Sequence, residues 1–563
     1  MQRFRAPLIG AWRRLDQPGA MRLAMFLVPL LLGLSSVVMR QDDNWDLRNY
    51  HLYNPFALLN GKIGFDLAPG QWQSYFNPTI DLPYYGMIRT LPGRLVGFLM
   101  GLLHGLNFIL LVQIIRHLFA QDSRTGYRLP ILLGVAGIFG SAFLSELGNT
   151  MGDNLTALFV LGSVLIVLRG WPAVSGQAPG QGKTLLWAGL VMGLGTGLKL
   201  TNATYALGLC LTLMLIPGAF GARLKRAFTF GPAVLVGIAI TSGWWFWLMW
   251  TQFGNPLFPQ FNNIFHSPMA APIGIGDTHW LPQGWLEYLL WPFKFAANPK
   301  RVTEIGLTLL IWPMLYVGFL LQTFNLAQAR PAEQVNDGDS ALLQRQRLLL
   351  SFFAISYLLW MCLFSIYRYL IPLELLAPVV LLLLAQRLMP APLARRAVSV
   401  LLAIVVVSTI PAASWGRAPF SANSYAMVGP VIADPEQSMV FTVHGDPPMG
   451  WLVTLFPVRL AFVALGSGFP ESDAFKARVA AMIAARSGPL YVMVQAAKGS
   501  ADPQAEQALR DAAPATNARV VVTAAEVLGR YGLAVDPASC RSHAAFRGKN
   551  HNDFQFCVVT PVR

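Results

Sequence analysis

Leu23-Ala-Met-Phe-Leu-Val-Pro-Leu-Leu-Leu-Gly-Leu-Ser-Ser-Val-Val38 runs, across Met39, into Arg40-Gln-Asp-Asp-Asn-Trp-Asp46-Leu-Arg-Asn-Tyr50-His51. The first half is an uncharged apolar run behind a basic start, as in a signal peptide. No small-residue cleavage site follows it, so it reads as an uncleaved first membrane helix. The second half sets Asp42, Asp43 and Asp46 beside arginine and His51, within a dozen residues of a membrane surface. A solvated connector can be acidic by chance. In a chain with 27 acidic residues, this density makes it the first candidate for a site.

Working outward, the whole chain has the same character. Of its 563 residues 54% are hydrophobic and 12% charged, with mean hydropathy +0.48. Ordinary soluble domains carry about 25% charged residues. The apolar residues fall in runs of roughly 17–25, enough to cross a hydrocarbon layer of about 30 Å. The fold class expected is an α-helical polytopic membrane protein, with about eleven spans near 21–39, 90–117, 129–147, 152–168, 184–198, 200–217, 228–250, 304–324, 348–366, 368–386 and 397–412.

The net charge of +15 does not point to nucleic acid. Nineteen Lys/Arg lie in the segments Arg3 to Arg22, Arg116 to Arg128, Arg169 to Lys183, Arg223 to Arg226, Arg330 to Arg347 and Arg387 to Arg396, with only five acids among them. That is the cytoplasmic signature of membrane proteins. It places the N-terminus inside and, with an odd span count, the tail outside. Residues 1–412 then form the membrane module, with external loops at about 40–89 and 251–303, and 413–563 an external domain.

In the first loop, Asp46 to Asn60 can form an amphipathic helix on the membrane surface, with Leu47, Tyr50, Phe56 and Leu59 toward lipid or protein and Gly61 ending it. Gln71-Trp-Gln-Ser-Tyr-Phe-Asn77-Pro78-Thr-Ile-Asp81-Leu-Pro83-Tyr84-Tyr85 suits either an interfacial aromatic belt or a binding wall. A belt does not explain Asp81. Ser145-Glu146-Leu-Gly-Asn149-Thr-Met-Gly-Asp153-Asn154 reads as a tight hairpin whose Asp153 can cap the returning helix. Lys199, in Gly193-Leu-Gly195-Thr-Gly197-Leu-Lys199, can snorkel or hold an anion. Trp285 to Phe295 reads as a second surface helix.

Arg368 stands in Ser365-Ile-Tyr367-Arg368-Tyr369-Leu-Ile-Pro372, where its planar fork suits a phosphodiester. In the tail, Val440 to Val443, Ala461 to Leu465, Leu490 to Val494 and Arg519 to Val522 look like strands, and Ser472 to Ala485 and Gln504 to Ala512 like helices. A partly parallel α/β sheet is expected. The Gly445-Asp-Pro-Pro-Met-Gly450 turn is assigned acceptor contact or stability. Cys210 and Cys362 read as inert core residues. Cys540 and Cys557 form a disulfide if the compartment is oxidising.

Carboxylates and cations at headgroup depth suit transfer of a sugar from a lipid phosphate. One carboxylate takes the acceptor proton and a cation stabilises the leaving phosphate. No Gly-x-x-x-x-Gly-Lys-Ser/Thr loop is present for a nucleotide. No soluble cofactor is required. Asp42, Asp43, Asp46 and Asp81 could still hold a divalent cation.

The chain also resembles the glycosyltransferase-C superfamily of polyprenyl-phosphate-sugar-dependent transferases, which includes protein mannosyltransferases and aminoarabinose transferases. Asp46-Leu-Arg-Asn-Tyr50-His51 is similar to the segment carrying that family's proposed base. Gly152-Asp153-Asn154 resembles its second acidic motif, Gly195-Thr-Gly-Leu-Lys199 its lysine segment, and Arg368-Tyr-Leu-Ile-Pro372 its Arg-Tyr-x-x-Pro segment. Asn77-Pro78 with Leu82-Pro83-Tyr84-Tyr85 resembles its entry to the second span. Gly254-Asn255-Pro-Leu-Phe-Pro259 is similar to a motif of bacterial members.

The acidic pair that usually follows the first span directly is here Asp42-Asp43, so Asp46 and Asp43 both stand as candidate bases. The resemblance covers about 20–390 and implies Asp46, Asp43 and Asp153 as catalytic, with Lys199 and Arg368 on the donor phosphate. His51, Tyr50, Asp81, Asn77, Tyr84 and Asn255 would touch substrate. The expected partners are a polyprenyl-phosphate sugar, a glycan, lipid or protein acceptor, and membrane lipids. The expected place is a bacterial inner membrane with a periplasmic tail. A flippase or transporter of lipid-linked glycans is the alternative, which charges within spans or inverted repeats would favour.

Overall fold

The computed structural model describes residues 14–119, 126–327, 337–443, 446–496 and 503–562. The expected basic residues Arg3, Arg5, Arg13, Arg124 and Arg330, and Gly445 of the expected turn, lie outside them. Eleven helices carry the apolar runs of the described residues: α1 (Pro18–Val38), α2 (Gly93–Arg116), α3 (Arg128–Ile138), α4 (Asp153–Arg169), α5 (Gln181–Leu198), α6 (Ala203–Met214), α7 (Phe220–Ile238), α8 (Ile311–Ala327), α9 (Asp337–Leu363), α10 (Ile371–Leu388) and α11 (Ala391–Ser408). Among the described residues six helical stretches are long and apolar enough to span a membrane: α1, α2, Phe220–Phe253, Ser340–Leu363, Tyr367–Leu388 and α11. The remaining expected spans fall on shorter or less apolar helices, α3 to α6 and α8.

Two expected spans are shaped otherwise. The run expected at 129–147 stops at Ile138 and resumes as a short helix, Ser141–Ser145. The break is held by Glu374 of α10, whose carboxylate accepts from the amides of Ala142 (3.2 Å) and Phe143 (3.0 Å) and from the Tyr367 hydroxyl (2.6 Å). The run expected from 304 starts its helix only at Ile311. Before it, the Val302 and Thr308 carbonyls are committed across the fold to the Tyr367 amide and the Ser141 hydroxyl.

Among the described residues the C-terminal part carries a six-stranded sheet. β1 (Met439–Val443), β2 (Ala461–Leu465) and β3 (Leu490–Gln495) are parallel, in the order β2-β1-β3, and β4 (Phe554–Pro561) runs antiparallel to β3. Arg519 to Val522, expected as a strand, lies inside the helix Pro503–Gly529. The Val520-Val521-Val522 triplet favours a strand locally. The helical spacing of Val521, Ala524 and Leu528, all buried, overrides that preference. Cys540 and Cys557 are disulfide-bonded. Cys362 is exposed rather than in the core, and Cys210 half-buried.

Asp46 to Asn60 does not lie on a membrane surface. It is a π-helical turn, Leu47–His51, followed by the helix Tyr53–Leu59, and left-handed Gly61 (φ 65°) reverses the chain. Asn49, His51 and Asn54 are as buried as Leu47 and Phe56, whereas Leu59 is exposed. The reason is that the C-terminal domain covers the segment, with Trp451, Leu452 and Phe456 packed against Leu47, Leu52, Tyr53 and Phe56.

The first loop is knitted into that domain. Gln41–Asp42 pairs with Arg417–Ala418, and Leu67 extends the sheet by a parallel bridge to Val463 on edge strand β2. Buried Lys62 donates to the carbonyls of Val458 (2.9 Å) and Leu460 (2.7 Å) and pairs with Asp66 (3.2 Å). Asp66 in turn accepts from the Phe462 amide and Tyr53 hydroxyl. Breaking one side of a buried pair costs about 3–5 kcal/mol. Lys62→Met is therefore expected to loosen the domain by that order, read as earlier thermal unfolding and faster proteolysis after residue 412. Unchanged protection would show that Lys62 does not hold it.

Candidate active site

The site begins with the π-helical turn, which brings Tyr50 and His51 toward one side of the loop, just after Asp46 at its start. Asp81 follows the short turn Pro78–Ile80 and starts the helix Leu82–Thr90. Lys199 sits, in extended conformation, where α5 gives way to the turn Leu200–Asn202. Its depth is set by the seam of α5 on α7, where Gly193 and Gly237 let the backbones meet closer than any Cβ would permit. Arg368 lies in the turn Tyr367–Leu370 ahead of α10.

These residues line one cavity of about 540 Å³. Its floor is polar. Arg368 Nη1 donates to Asp46 (2.7 Å), and Lys199 Nζ donates to Asp153 (2.5 Å) and to the Met151 carbonyl (2.7 Å). His51 Nδ1 lies 2.7 Å from Asp81. Tyr369 stands between the two cations, 5.3 Å from Lys199 Nζ and 5.4 Å from the Arg368 guanidinium. The other walls are apolar: Trp72, Phe76, Trp245, Phe246, Phe258 and Phe364.

Burial pushes the Asp46 carboxyl up, but Arg368, His51 and Lys199 together outweigh it, and the group is held below the usual carboxylate range. Asp81 goes the other way. Burial raises it, with Asp46 adding to the rise, and His51 offsets only part of that. Burial also lifts the Tyr50 phenol far above its ordinary value, with the Asp46 charge adding to it. Asp46 thus stays anionic at neutral pH and Tyr50 stays a neutral hydroxyl.

The cavity gathers Asp46, Tyr50, His51, Asn77, Asp81, Lys199 and Arg368, with Asp153 directly behind Lys199. Asp153 makes no cap. Left-handed Gly152 (φ 87°) starts α4, and the carboxylate turns to Lys199 instead. Lys199 is therefore a paired cation rather than a snorkelling one. Asn77 braces the wall, donating to the Thr241 carbonyl (2.9 Å) and Ser242 hydroxyl (3.0 Å).

Four expected residues stand elsewhere. Asp43 is clamped by Arg48 (2.8 Å) and, from the C-terminal domain, by Arg547. Asp42 accepts from the amide, and from the hydroxyl, of Thr150. Tyr84 meets Tyr425 (3.3 Å), and Asn255 pins its own loop through the Gln260 carbonyl (2.9 Å). With Asp42 and Asp43 engaged apart from Asp46 and Asp81, the expected oxygen donor set does not converge. Among the described residues no group of three His, Cys, Asp or Glu is placed to hold a metal.

Sequence reasoning missed Tyr369, although it adjoins Arg368. It left Trp72, Tyr75 and Phe76 open between belt and wall. All three line the cavity, and Tyr75 also packs edge-on against Phe253 and Phe258. Glu146, wholly buried in the Asp153 hairpin, carried no signal beyond its charge.

Fold and cavity define a polytopic helical membrane protein with a charged chamber between its helices and a C-terminal α/β domain. The chain matches no family model and no curated protein. Among solved structures it is similar to ArnT from Cupriavidus metallidurans bound to undecaprenyl phosphate, at 12% identity and TM-score 0.45 over 96% of this chain and 98% of that one. The apo state of the same protein aligns at 12% identity and TM-score 0.44, over 95% and 98%. What this cavity can do follows from its own side chains.

Proposed function

We propose that the chain is an inverting glycosyltransferase that moves a sugar from a polyprenyl-phosphate donor to an acceptor hydroxyl at the periplasmic face of a bacterial inner membrane. The observation that carries the reading is the pair of cations, Arg368 and Lys199, at the polar end of an otherwise apolar-walled cavity. A lipid phosphate offers oxygens to both cations while its chain lies along Trp245, Phe246 and Phe364. Arg368 and Lys199 then stabilise charge growing on the departing phosphate. The acceptor oxygen attacks the anomeric carbon, the bond to phosphate breaks with its electron pair, and a base on the floor receives the proton.

Charge supports this orientation. Arg128 meets Asp16 (3.4 Å) and Arg345 meets the His117 carbonyl (3.3 Å), so basic segments at the starts of α1, α3 and α9 and the end of α2 meet in pairs. Basic turns face the cytoplasm. Asp46, Lys199 and Arg368 stand at short turns between the long helices rather than midway along them, which favours surface chemistry over passage through the bundle.

The test is turnover by the purified protein. With a radiolabelled polyprenyl-phosphate sugar and isolated envelope glycans and lipids, label is expected to pass to an acceptor with release of polyprenyl phosphate. Movement of the donor across proteoliposomes without its cleavage would instead establish a flippase.

A further inference from the structure

We infer that His51, oriented by Asp81, is the proton acceptor of the transfer reaction, and that Asp46 acts as the charge that holds Arg368 and faces the anomeric carbon. This deepens the proposed function and rests on it.

The geometry carries the assignment. Nδ1 of His51 lies 2.7 Å from Oδ1 of Asp81, and both side chains are about 95% buried. A neutral imidazole donating Nδ1–H to a carboxylate has its lone pair on Nε2. That Nε2 is buried and has no protein partner, although His51 lines the cavity. Because the imidazole lines the cavity, this nitrogen is the one placed to meet a group that enters it. Tyr50 packs against the ring, with centroids 4.1 Å apart, and limits its swing.

Asp46 is the poorer base. It is held below the ordinary carboxylate range and already accepts from Arg368. The charged groups around the imidazole on the cavity floor are Asp46, Asp81, Lys199 and Arg368. In the step itself the acceptor oxygen bonds to the anomeric carbon and the bond from that carbon to the phosphate oxygen breaks. The phosphate keeps the electron pair. The hydroxyl proton passes to Nε2, and the imidazolium is balanced by Asp81 until it returns the proton to water.

The experiment compares pH–rate profiles of wild type, His51→Gln, Asp81→Asn and Asp46→Asn with the labelled donor. Wild type is expected to show an acid limb on kcat, where protonation of Nε2 removes the acceptor. His51→Gln should lose about 10²–10⁴-fold in kcat, with donor KM within threefold and the limb gone. Asp81→Asn should lose about tenfold or more and displace the limb, and Asp81→Glu should recover part of the rate. Asp46→Asn should keep the limb on its residual activity.

Thermal unfolding of each variant separates misfolding from lost chemistry, and if His51→Gln unfolds, the Asp81 pair decides. His51→Gln that retains kcat within threefold, or retains the limb, overturns the assignment while leaving the transferase intact. A wild type that turns over no donor at any pH overturns both.

Discussion

Asp46→Asn is expected to lower kcat for sugar transfer by at least about 10²-fold while leaving donor KM unchanged or reduced. The change keeps the side chain's shape and removes only its charge. Two consequences follow. The Arg368 guanidinium, 2.7 Å from Asp46, loses its counterion and binds the donor phosphate without a competitor, so ground-state affinity does not suffer. The positive charge that develops at the anomeric carbon loses the anion facing it, so the barrier rises. A rate loss with tighter or equal donor binding is the pattern of an interaction made mainly in the transition state.

The fold should survive, because an amide oxygen can still accept from Arg368 and neither side chain is wholly sealed from the cavity, at 17% and 12% exposure. Initial rates over a donor series, with thermal unfolding as a control, give both numbers. A variant with more than half the wild-type kcat would remove Asp46 from the reaction.

How much of this was legible in the sequence depends on whether a residue's role was local. The helices of the apolar runs were readable because such a run must satisfy its backbone internally, and helix is the local way to do that. Lys199 and Arg368 were readable because a cation beside an apolar run demands an explanation. Their partners were not. Lys199 finds Asp153 across 46 residues and Arg368 finds Asp46 across 322. Only the packing of α4, α5 and α10 brings those pairs together.

Asp43 shows the reverse error. As part of the acidic pair after the first span it looked catalytic, but its partner Arg547 belongs to a part of the chain read as a separate domain. The His51–Asp81 contact was hidden for the same reason. Both residues were marked as touching substrate, and nothing in a linear spacing of 30 says that one orients the other. In the tail, strands were found where apolar runs were short and bounded by turns. The run 519–522 misled because strand propensity is weaker than a helical stripe of buried residues flanking it.

The largest effect outside the cavity is expected at Gly450. The Asn49 carbonyl oxygen, in the π-helical turn just before Tyr50 and His51, sits in a slot between Gly70 and Gly450. A Cβ on Gly450 would collide with that oxygen, and one on Gly70 would come within 2.7 Å of it. Neither neighbour can yield cheaply, since both contacts are to backbone. Gly450→Ala must therefore lift the C-terminal domain or push the turn toward the cavity. Tyr50 and His51, which follow Asn49 directly, line the cavity, and a displacement of about 1 Å in reacting groups costs on the order of 10²-fold in rate.

Transfer is thus expected to fall by about that factor, and Gly450→Val to fall further, with overpacking costing about 1–3 kcal/mol. Gly529→Ala serves as the control, since a Cβ there meets nothing within 4 Å, and its kinetics should match wild type. Wild-type turnover in Gly450→Ala would mean that the domain merely rests on the loop. A loss confined to the Gly450 variants would make the C-terminal domain a structural part of the active site, because its backbone sets where Tyr50 and His51 stand.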